Sequence, residues 1–172
     1  DKRTITAQAG VITLTAIKAA AEQGMLFTVD PASKAASSVG GNIAENSGGP
    51  FCFEYGTTID NILSYRMVTP TGEVIEVRRK DHPWHKIFPG DTAVFEVFDA
   101  AGRLRETVEL PGDKIRGAGL GKDVSNKFLG GLPGVQKEGV DGIITEGTFT
   151  CHPRLAHSRT LCLEFYGRSM HN

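Results

Sequence analysis

The sequence has no surplus of positive charge: 19 Lys and Arg stand against 20 Asp and Glu, a formal net charge of −1. Chains that hold nucleic acid or anionic membranes carry a basic excess or a polybasic run, so neither partner is expected. Long apolar runs are missing too. No stretch approaches the roughly 20 residues of a membrane span, and the opening "DKRTITAQAG" has no signal-peptide core. The expected location is the cytoplasm, with the chain either whole or cut from something larger. Cysteine is scarce. Cys52, Cys151 and Cys162 lie far apart without a Cys-x-x-Cys pair, which argues against a disulfide framework, a zinc site or an iron–sulfur site and predicts buried free thiols. His82 and His85 flank a proline in "DHPWHK" with no further ligand nearby, predicting a surface loop and no metal.

What is present fits a globular domain: 172 residues, 40% hydrophobic and 23% charged, enough to bury a core. "TITAQAG" reads as a strand ending at Gly10. "TLTAIKAAAEQG" reads as a helix carrying Leu14, Ile17, Ala21 and Met25 at helical spacing, with Gly24 as its stop. Two hairpins follow. "YRMVTPTGEVIEV" and "VFEVFDAAGRLRETVEL" place Thr69-Pro70-Thr71-Gly72 and Asp99-Ala100-Ala101-Gly102 between apolar runs, each with glycine at the fourth turn position. Further on, "KDVSNKFLGG" suggests a short helix, and "DGIITEGTFTCHP" and "RTLCLEFYG" suggest strands. The fold class expected is α+β with an antiparallel sheet as its body.

One stretch asks for a special explanation. "SSVGGNIAENSGG", residues 37–49, sets Gly40–Gly41 and Gly48–Gly49 around a short segment of small and polar residues. The surrounding residues 25–49 are poor in large apolar side chains and suit close packing better than a core helix or strand. Two readings compete. The segment is a short helix between turns, or it is a surface where backbone approaches a ligand too closely for a Cβ. The other glycine-rich run, "RGAGLGKDVSNKF", is no phosphate loop, because Arg116 and Asp123 stand where a Gly and a Ser or Thr are required. Nor is it a dinucleotide fingerprint, since Lys122 occupies a glycine position.

The run "TVDPASKAASSVGGNIAENSGGPFCFEYGTTIDNILSYRMVTPTGEVIEV" resembles the flavin-binding domain of the vanillyl-alcohol oxidase and FAD-linked D-lactate dehydrogenase superfamily, with its glycolate oxidase subunit-like members. Those proteins carry D-P-x-S, then G-G-N-[IV]-A-x-N-[AS]-G-G, then Y-G-x-x-x-D-N-[IV]-L. "EGVDGIITEGTFTCHP" resembles their E-G-T-L-G-I-I-T-E segment in the same order along the chain. The resemblance implies an α+β fold: an antiparallel sheet with flanking helices, the second subdomain of a PCMH-type FAD-binding domain plus the last strand and helix of the first. It implies residues 1–155 as a partial FAD-binding domain with an extra hairpin near 80–115, and 156–172 as the start of a following strand or linker.

The resemblance also implies a site. Asp30, Pro31, Ala32, Ser33, Ser37, Ser38, Val39, Gly40, Gly41, Asn42, Ala44, Asn46, Ser47 and Gly48 would lie along the FAD, with Tyr55 and Gly56 as flanking candidates. Glu138, Gly139, Gly142, Ile143 and Ile144 would lie near its adenosine end. Read without the family, Asn46 could equally be a helix cap, and Ile143–Ile144 a buried strand pair. Val140–Asp141 departs from the family's Thr-Leu. No G-G-G-T-G diphosphate loop precedes "TITAQAG" and no substrate cap follows "RSMHN". The chain is therefore expected to be a fragment of a longer flavoprotein, partnered by a diphosphate-loop subdomain, a substrate cap and, as a candidate, an iron–sulfur domain. The parent could touch the inner membrane peripherally. By resemblance it is an FAD-linked dehydrogenase that oxidises a small-molecule D-2-hydroxy acid of the lactate or glycolate type, with no catalytic residue assignable here. A non-catalytic module that kept the fold is the alternative of another class; a reductase of peptidoglycan precursor synthesis is the alternative among enzymes.

Overall fold

The computed structural model describes residues 3–117, 129–164 and 166. Its body is a six-stranded antiparallel sheet made of β1 (Thr4–Gln8), β3 (Ile62–Val68), β4 (Val74–Lys80), β5 (Thr92–Asp99), β6 (Leu104–Pro111) and β7 (Ile143–Thr150), while β2 (Met25–Leu26) pairs apart with β8 (His152–Pro153). The spatial order is β1-β7-β3-β4-β5-β6, so the late strand β7 sits between β1 and β3. Both expected hairpins form. The amide of Gly72 donates to Thr69 O and that of Gly102 to Asp99 O, each at 2.9 Å, with φ of 82° and 75° that only glycine adopts without strain.

Period-two alternation sets the faces of the sheet. Tyr65 and Met67 on β3, Ile75 and Val77 on β4, Phe95 and Val97 on β5 and Val108 and Leu110 on β6 are buried on one face. The other carries charge: the Arg78 guanidinium donates twice to Glu76, at 2.9 Å each, and Arg66 lies 3.7 Å from the same carboxylate. Arg78 holds the Glu76 carboxyl below its usual range.

Helix α1 (Thr13–Glu22) ends at Gly24 as expected, but its deepest residues are Thr13, Ala16 and Ala20; Leu14, Ile17 and Ala21 are only half-buried. Small residues at the centre of the buried face let α1 lie against β1, β2 and the next helix. That helix, α2 (Val39–Glu45), corrects the expectation that residues 25–49 suit neither core helix nor strand. Val39 and Ile43 enter the core, as do Phe27 and Val29 from the stretch after β2. Gly147 makes room: a Cβ there would stand 2.7 Å from Ile43 Cδ1.

Among the described residues there are also three one-turn helices: α3 (Cys52–Tyr55), α4 (Thr58–Asn61) and α5 (Gly112–Ile115). Of the segment expected as a helix at 122–131, residues 122–128 lie outside the described residues and Leu129–Gly131 form a single 3₁₀ turn. "RTLCLEFYG" joins no strand over residues 159–164, where Leu161 and Leu163 are exposed. Cys52 and Cys151 are buried free thiols, whereas Cys162 is exposed, against expectation. Among the described residues no helix is long and apolar enough to cross a membrane, and no three His, Cys, Asp or Glu side chains group to hold a metal.

The loop between β4 and β5 is fastened to Asp60 of α4, which is 1% exposed. Its carboxylate accepts from the amides of Ile87 (2.7 Å) and Thr57 (2.8 Å) and from Arg116 Nη2 (2.7 Å). Arg116 also donates to the carbonyl of Ile87. Burial pushes the Asp60 carboxyl above its usual range against the pull of Arg116. His82, expected in a surface loop, is half-buried: Nε2 meets the Asp60 carbonyl at 2.6 Å and Nδ1 accepts from the amide of Trp84 at 2.9 Å. Both ring nitrogens are satisfied by the neutral tautomer protonated at Nε2. Burial, with Arg79 nearby, lowers its pKa to about 4.

The unfolded chain therefore takes up a proton that native His82 refuses, and stability is lost as pH falls from about 6.5 towards 4. His82→Gln is expected to flatten that part of the curve. Urea melts at pH 7, 6, 5 and 4 would show it, and parallel curves for both proteins would reject it.

Candidate functional site

Ser38 begins α2 because its extended backbone turns the chain and its Oγ accepts from the amide of Gly41 at 3.1 Å. The remaining first-turn amides are bonded within the protein as well: Val39 to Val11 O, Gly40 to Ala9 O and Asn42 to Ser38 O, each at 2.9 Å. At the far end Asn46 takes the left-handed conformation (φ 51°, ψ 49°) and Ser47 donates back to Asn42 O at 2.8 Å, so the helix-cap alternative for Asn46 describes its backbone.

A loop faces this helix. Residues 133–142 run alongside it, with the amides of Gln136 and Glu138 donating to the carbonyls of Ile43 (3.2 Å) and Ala44 (2.9 Å). Asp141, the departure from the family pattern, turns its carboxylate inward to accept from the amide of Gly134 at 2.9 Å. Between loop and helix, over the end of β1, lies an open groove of about 430 Å³. Ala9 and Gly10 contribute from the turn after β1, Ser38, Gly40, Gly41 and Ala44 from α2 and its cap, and Gly139, Gly142, Ile143 and Ile144 from the loop and the start of β7. Every contributor but the two isoleucines is Gly, Ala or Ser. None of the ten has a titratable side chain.

The glycines have different reasons. A Cβ on Gly40 would stand 2.6 Å from Ala9 Cβ, so that glycine lets α2 rest on β1. Among the described residues, a Cβ on Gly41 would meet only its own cap, Ser38 Oγ, at 3.2 Å, and one on Gly10 or Gly139 would meet nothing within 4 Å. These three open on the groove. The stretch is thus a short helix between turns and also a surface with its side chains removed.

The groove gathers eight of the residues expected along the cofactor: Ser38, Gly40, Gly41, Ala44, Gly139, Gly142, Ile143 and Ile144. The others are not in its lining. The Asp30 carboxylate is turned to the amide of Phe51 (3.5 Å) and to Lys34 (3.7 Å), and burial raises its pKa despite both. Pro31, Ala32 and Ser33 form the turn before Lys34, with Ala32 and Ser33 exposed. Ser37 Oγ lies 2.9 Å from Thr13 Oγ1, which also accepts from Asn42 Nδ2 at 2.9 Å. Val39 is core, the carbonyl of Ser47 accepts from Thr58, and Gly48 packs on Cys52 and Thr57. Asn46 is bonded through both ends of its amide. Glu138 reaches α2 through its backbone. Of the flanking candidates, the Tyr55 ring packs against that of His152, tilted by 46° with centroids 4.5 Å apart, and Gly56 leaves room for the Asp60 side chain. Ile143 is 71% exposed, so the buried strand pair does not form. Ala9 and Gly10 were missed; two small residues where β1 ends were their signal in the sequence.

The antiparallel α+β domain thus presents an open groove of backbone and small side chains between a helix and a loop. Residues 1–78 match the FAD binding domain family. The chain is 42% identical over 161 residues to the glycolate oxidase subunit GlcD of Bacillus subtilis, covering 94% of this chain and 26% of that protein. It is 41% identical over 75 residues to the D-2-hydroxyglutarate dehydrogenase of Xanthomonas citri pv. viticola, covering 44% of this chain and 16% of that protein. A solved structure of alkyldihydroxyacetonephosphate synthase superposes with a TM-score of 0.50 at 25% identity, over 88% of this chain and 20% of that one. The chain thus spans about a quarter or less of the length of these relatives. These matches support an FAD-binding domain of the vanillyl-alcohol oxidase and FAD-linked D-lactate dehydrogenase superfamily, of the kind found in FAD-linked oxidoreductases, with FAD as its cofactor.

The groove fits that cofactor on its own geometry, because Gly10, Gly41 and Gly139 leave free the space that side chains would fill. What it lacks is also informative. The amides of residues 39–42 are engaged inside the protein and the ten lining residues include no cation, so the first turn of α2 does not serve here as a diphosphate-binding helix start.

Proposed function

We propose that this domain forms one wall of the FAD site of a longer flavoprotein that oxidises a D-2-hydroxy acid. The groove carries the reading. Gly10, Gly41 and Gly139 let backbone come within van der Waals distance of an extended cofactor, and Ser38, Ala44 and the exposed Ile143 border that contact. Along this wall and its flanks the cofactor residues are those named from the resemblance, with Glu138, Gly139, Gly142, Ile143 and Ile144 at the adenosine end. Several of them, Asp30, Asn42 and Asn46 among them, serve it by holding the wall rather than by touching it.

Bound FAD supplies the acceptor for a hydride equivalent; the chain supplies binding, orientation and exclusion of water. The ten lining residues have no titratable side chain, so the group that takes the substrate's proton and the groups that clamp its carboxylate belong to other parts of the protein. The substrate class rests on relatives named glycolate oxidase subunit, D-2-hydroxyglutarate dehydrogenase and D-lactate dehydrogenase.

The test is anaerobic. The purified full-length protein is mixed with a panel of D- and L-2-hydroxy acids, NADH and NADPH, and the flavin absorbance is followed. Bleaching by one D-hydroxy acid and not its L-isomer is expected, since a clamped carboxylate presents one face of the substrate carbon. Bleaching by a reduced nicotinamide alone would reject the 2-hydroxy acid and leave the FAD site standing.

A further inference from the structure

The two walls of the groove are joined by a side-chain hydrogen bond between residues outside its lining. Asn46, at the end of α2, directs its Nδ2 to Oε1 of Gln136 in the facing loop at 3.1 Å. Its orientation is fixed from behind. Asn46 Oδ1 accepts from the amide of Ile59 at 2.8 Å and from Thr57 Oγ1 at 2.9 Å, so a flipped amide would set its NH₂ group against a backbone N–H. Only Nδ2 is left to face the loop.

The loop needs such a tie. Gln136 and Glu138 hold φ of 56° and 54°, and Gly134 and Gly139 hold 78° and 77°, so four of six successive residues are left-handed. For the two that are not glycine this conformation is unfavourable and must be held by surrounding bonds. The amides of Gln136 and Glu138 provide two, to Ile43 O and Ala44 O, and the Gln136 side chain provides the third. All three attach the loop to the last turn of α2. Since α2 and this loop line opposite sides of the groove, these bonds fix its width.

We propose that Gln136 is a positioning residue for FAD: without touching the cofactor, its side-chain bond to Asn46 holds the groove at binding width before FAD arrives. The inference rests on the reading of the groove as the cofactor site. Gln136→Leu removes the acceptor, Gln136→Asn keeps an amide one methylene too short, and Gln136→Glu retains an oxygen that accepts from Asn46 Nδ2.

The experiment titrates FAD into each variant of the full-length protein after flavin removal, with a thermal melt of each apoprotein. Gln136→Leu and Gln136→Asn are expected to raise the FAD Kd roughly tenfold, the scale of one hydrogen bond and its preorganisation, whereas Gln136→Glu stays near wild type. Rescue by Glu separates positioning from a general loss of packing. Gly41→Val is run beside them. If Gly41→Val blocks FAD while Gln136→Leu and Gln136→Asn bind as wild type, the inference falls and the groove stands. If Gly41→Val binds FAD normally too, the reading of the groove falls with it.

Discussion

Gly41→Val is expected to give a folded protein that carries almost no flavin. The Gly41 Cα faces the groove, and a Cβ there meets only Ser38 Oγ. The protein can answer by rotating the Ser38 hydroxyl, at a cost of about 1 kcal/mol for the lost cap. A bound cofactor cannot answer, because a branched side chain fills the space where it would lie. The neighbouring substitution makes the control. Gly40→Val drives a Cβ to 2.6 Å from Ala9 and wedges α2 off β1, so it is expected to unfold the domain or make it insoluble. Flavin absorbance per polypeptide, read beside the melting temperature, separates them. Wild-type flavin content in Gly41→Val would remove the groove from the FAD site.

Arg116→Met is expected to cost about 3–5 kcal/mol, the usual result of leaving a buried charge without its partner. The Asp60 side chain is 0% exposed and that of Arg116 12%, so water does not replace the lost guanidinium. The deficit should depend on pH in an unusual sense. The Asp60 carboxyl already titrates above its ordinary 3.8 through burial, and without Arg116 it moves higher. A raised carboxyl binds its proton more tightly in the native state, so stability is lost as pH rises through that folded pKa and recovered as pH falls. Arg116→Met should therefore be weakest at neutral pH and approach wild type in mild acid. Asp60→Asn added to Arg116→Met removes the orphaned charge and should recover part of the loss. Denaturant midpoints from pH 7 to 4.5 give the comparison; a deficit independent of pH would show that packing, not charge, holds Arg116 in place.

Local chemistry was readable where it acts alone. Both hairpins follow from a four-residue turn ending in glycine between alternating strands, and the strand and helix before Gly24 follow from period and stop signal. α2 was harder to see, because Gly40, Gly41 and Asn42 weaken a helix and only the Ser38 cap and packing on Gly147 and Ala9 sustain it. The stripe on α1 was displaced because alanines, not the larger Leu14 and Ile17, occupy the tightest contact. At the groove, the glycine pattern and the family resemblance indicate where backbone is bared. They do not separate Gly40, which accommodates Ala9, from Gly41, whose missing side chain would meet only its own cap Ser38 among the described residues; that distinction exists only once β1 and α2 are placed together. Asn46 and Gln136 are 90 residues apart in sequence, and no local pattern joins them.

The order β4-β5-β6 has a consequence for self-association. β5 reads "TAVFEVFD", rich in β-branched and aromatic residues, and as the outermost strand it would offer an adhesive ladder to another copy. β6 takes that place instead. Its "LRETVELP" leaves Arg105, Glu106, Thr107 and Glu109 exposed and ends in a proline that has no amide to donate. The hairpin therefore brings its own guard: the sheet gains a strand prone to aggregate together with a charged one that keeps other molecules away from it. A cut in the tight turn at residues 99–102 that let β6 detach would bare the ladder of β5 and withdraw Val108 and Leu110 from the core, leaving the groove at the other end of the sheet in place.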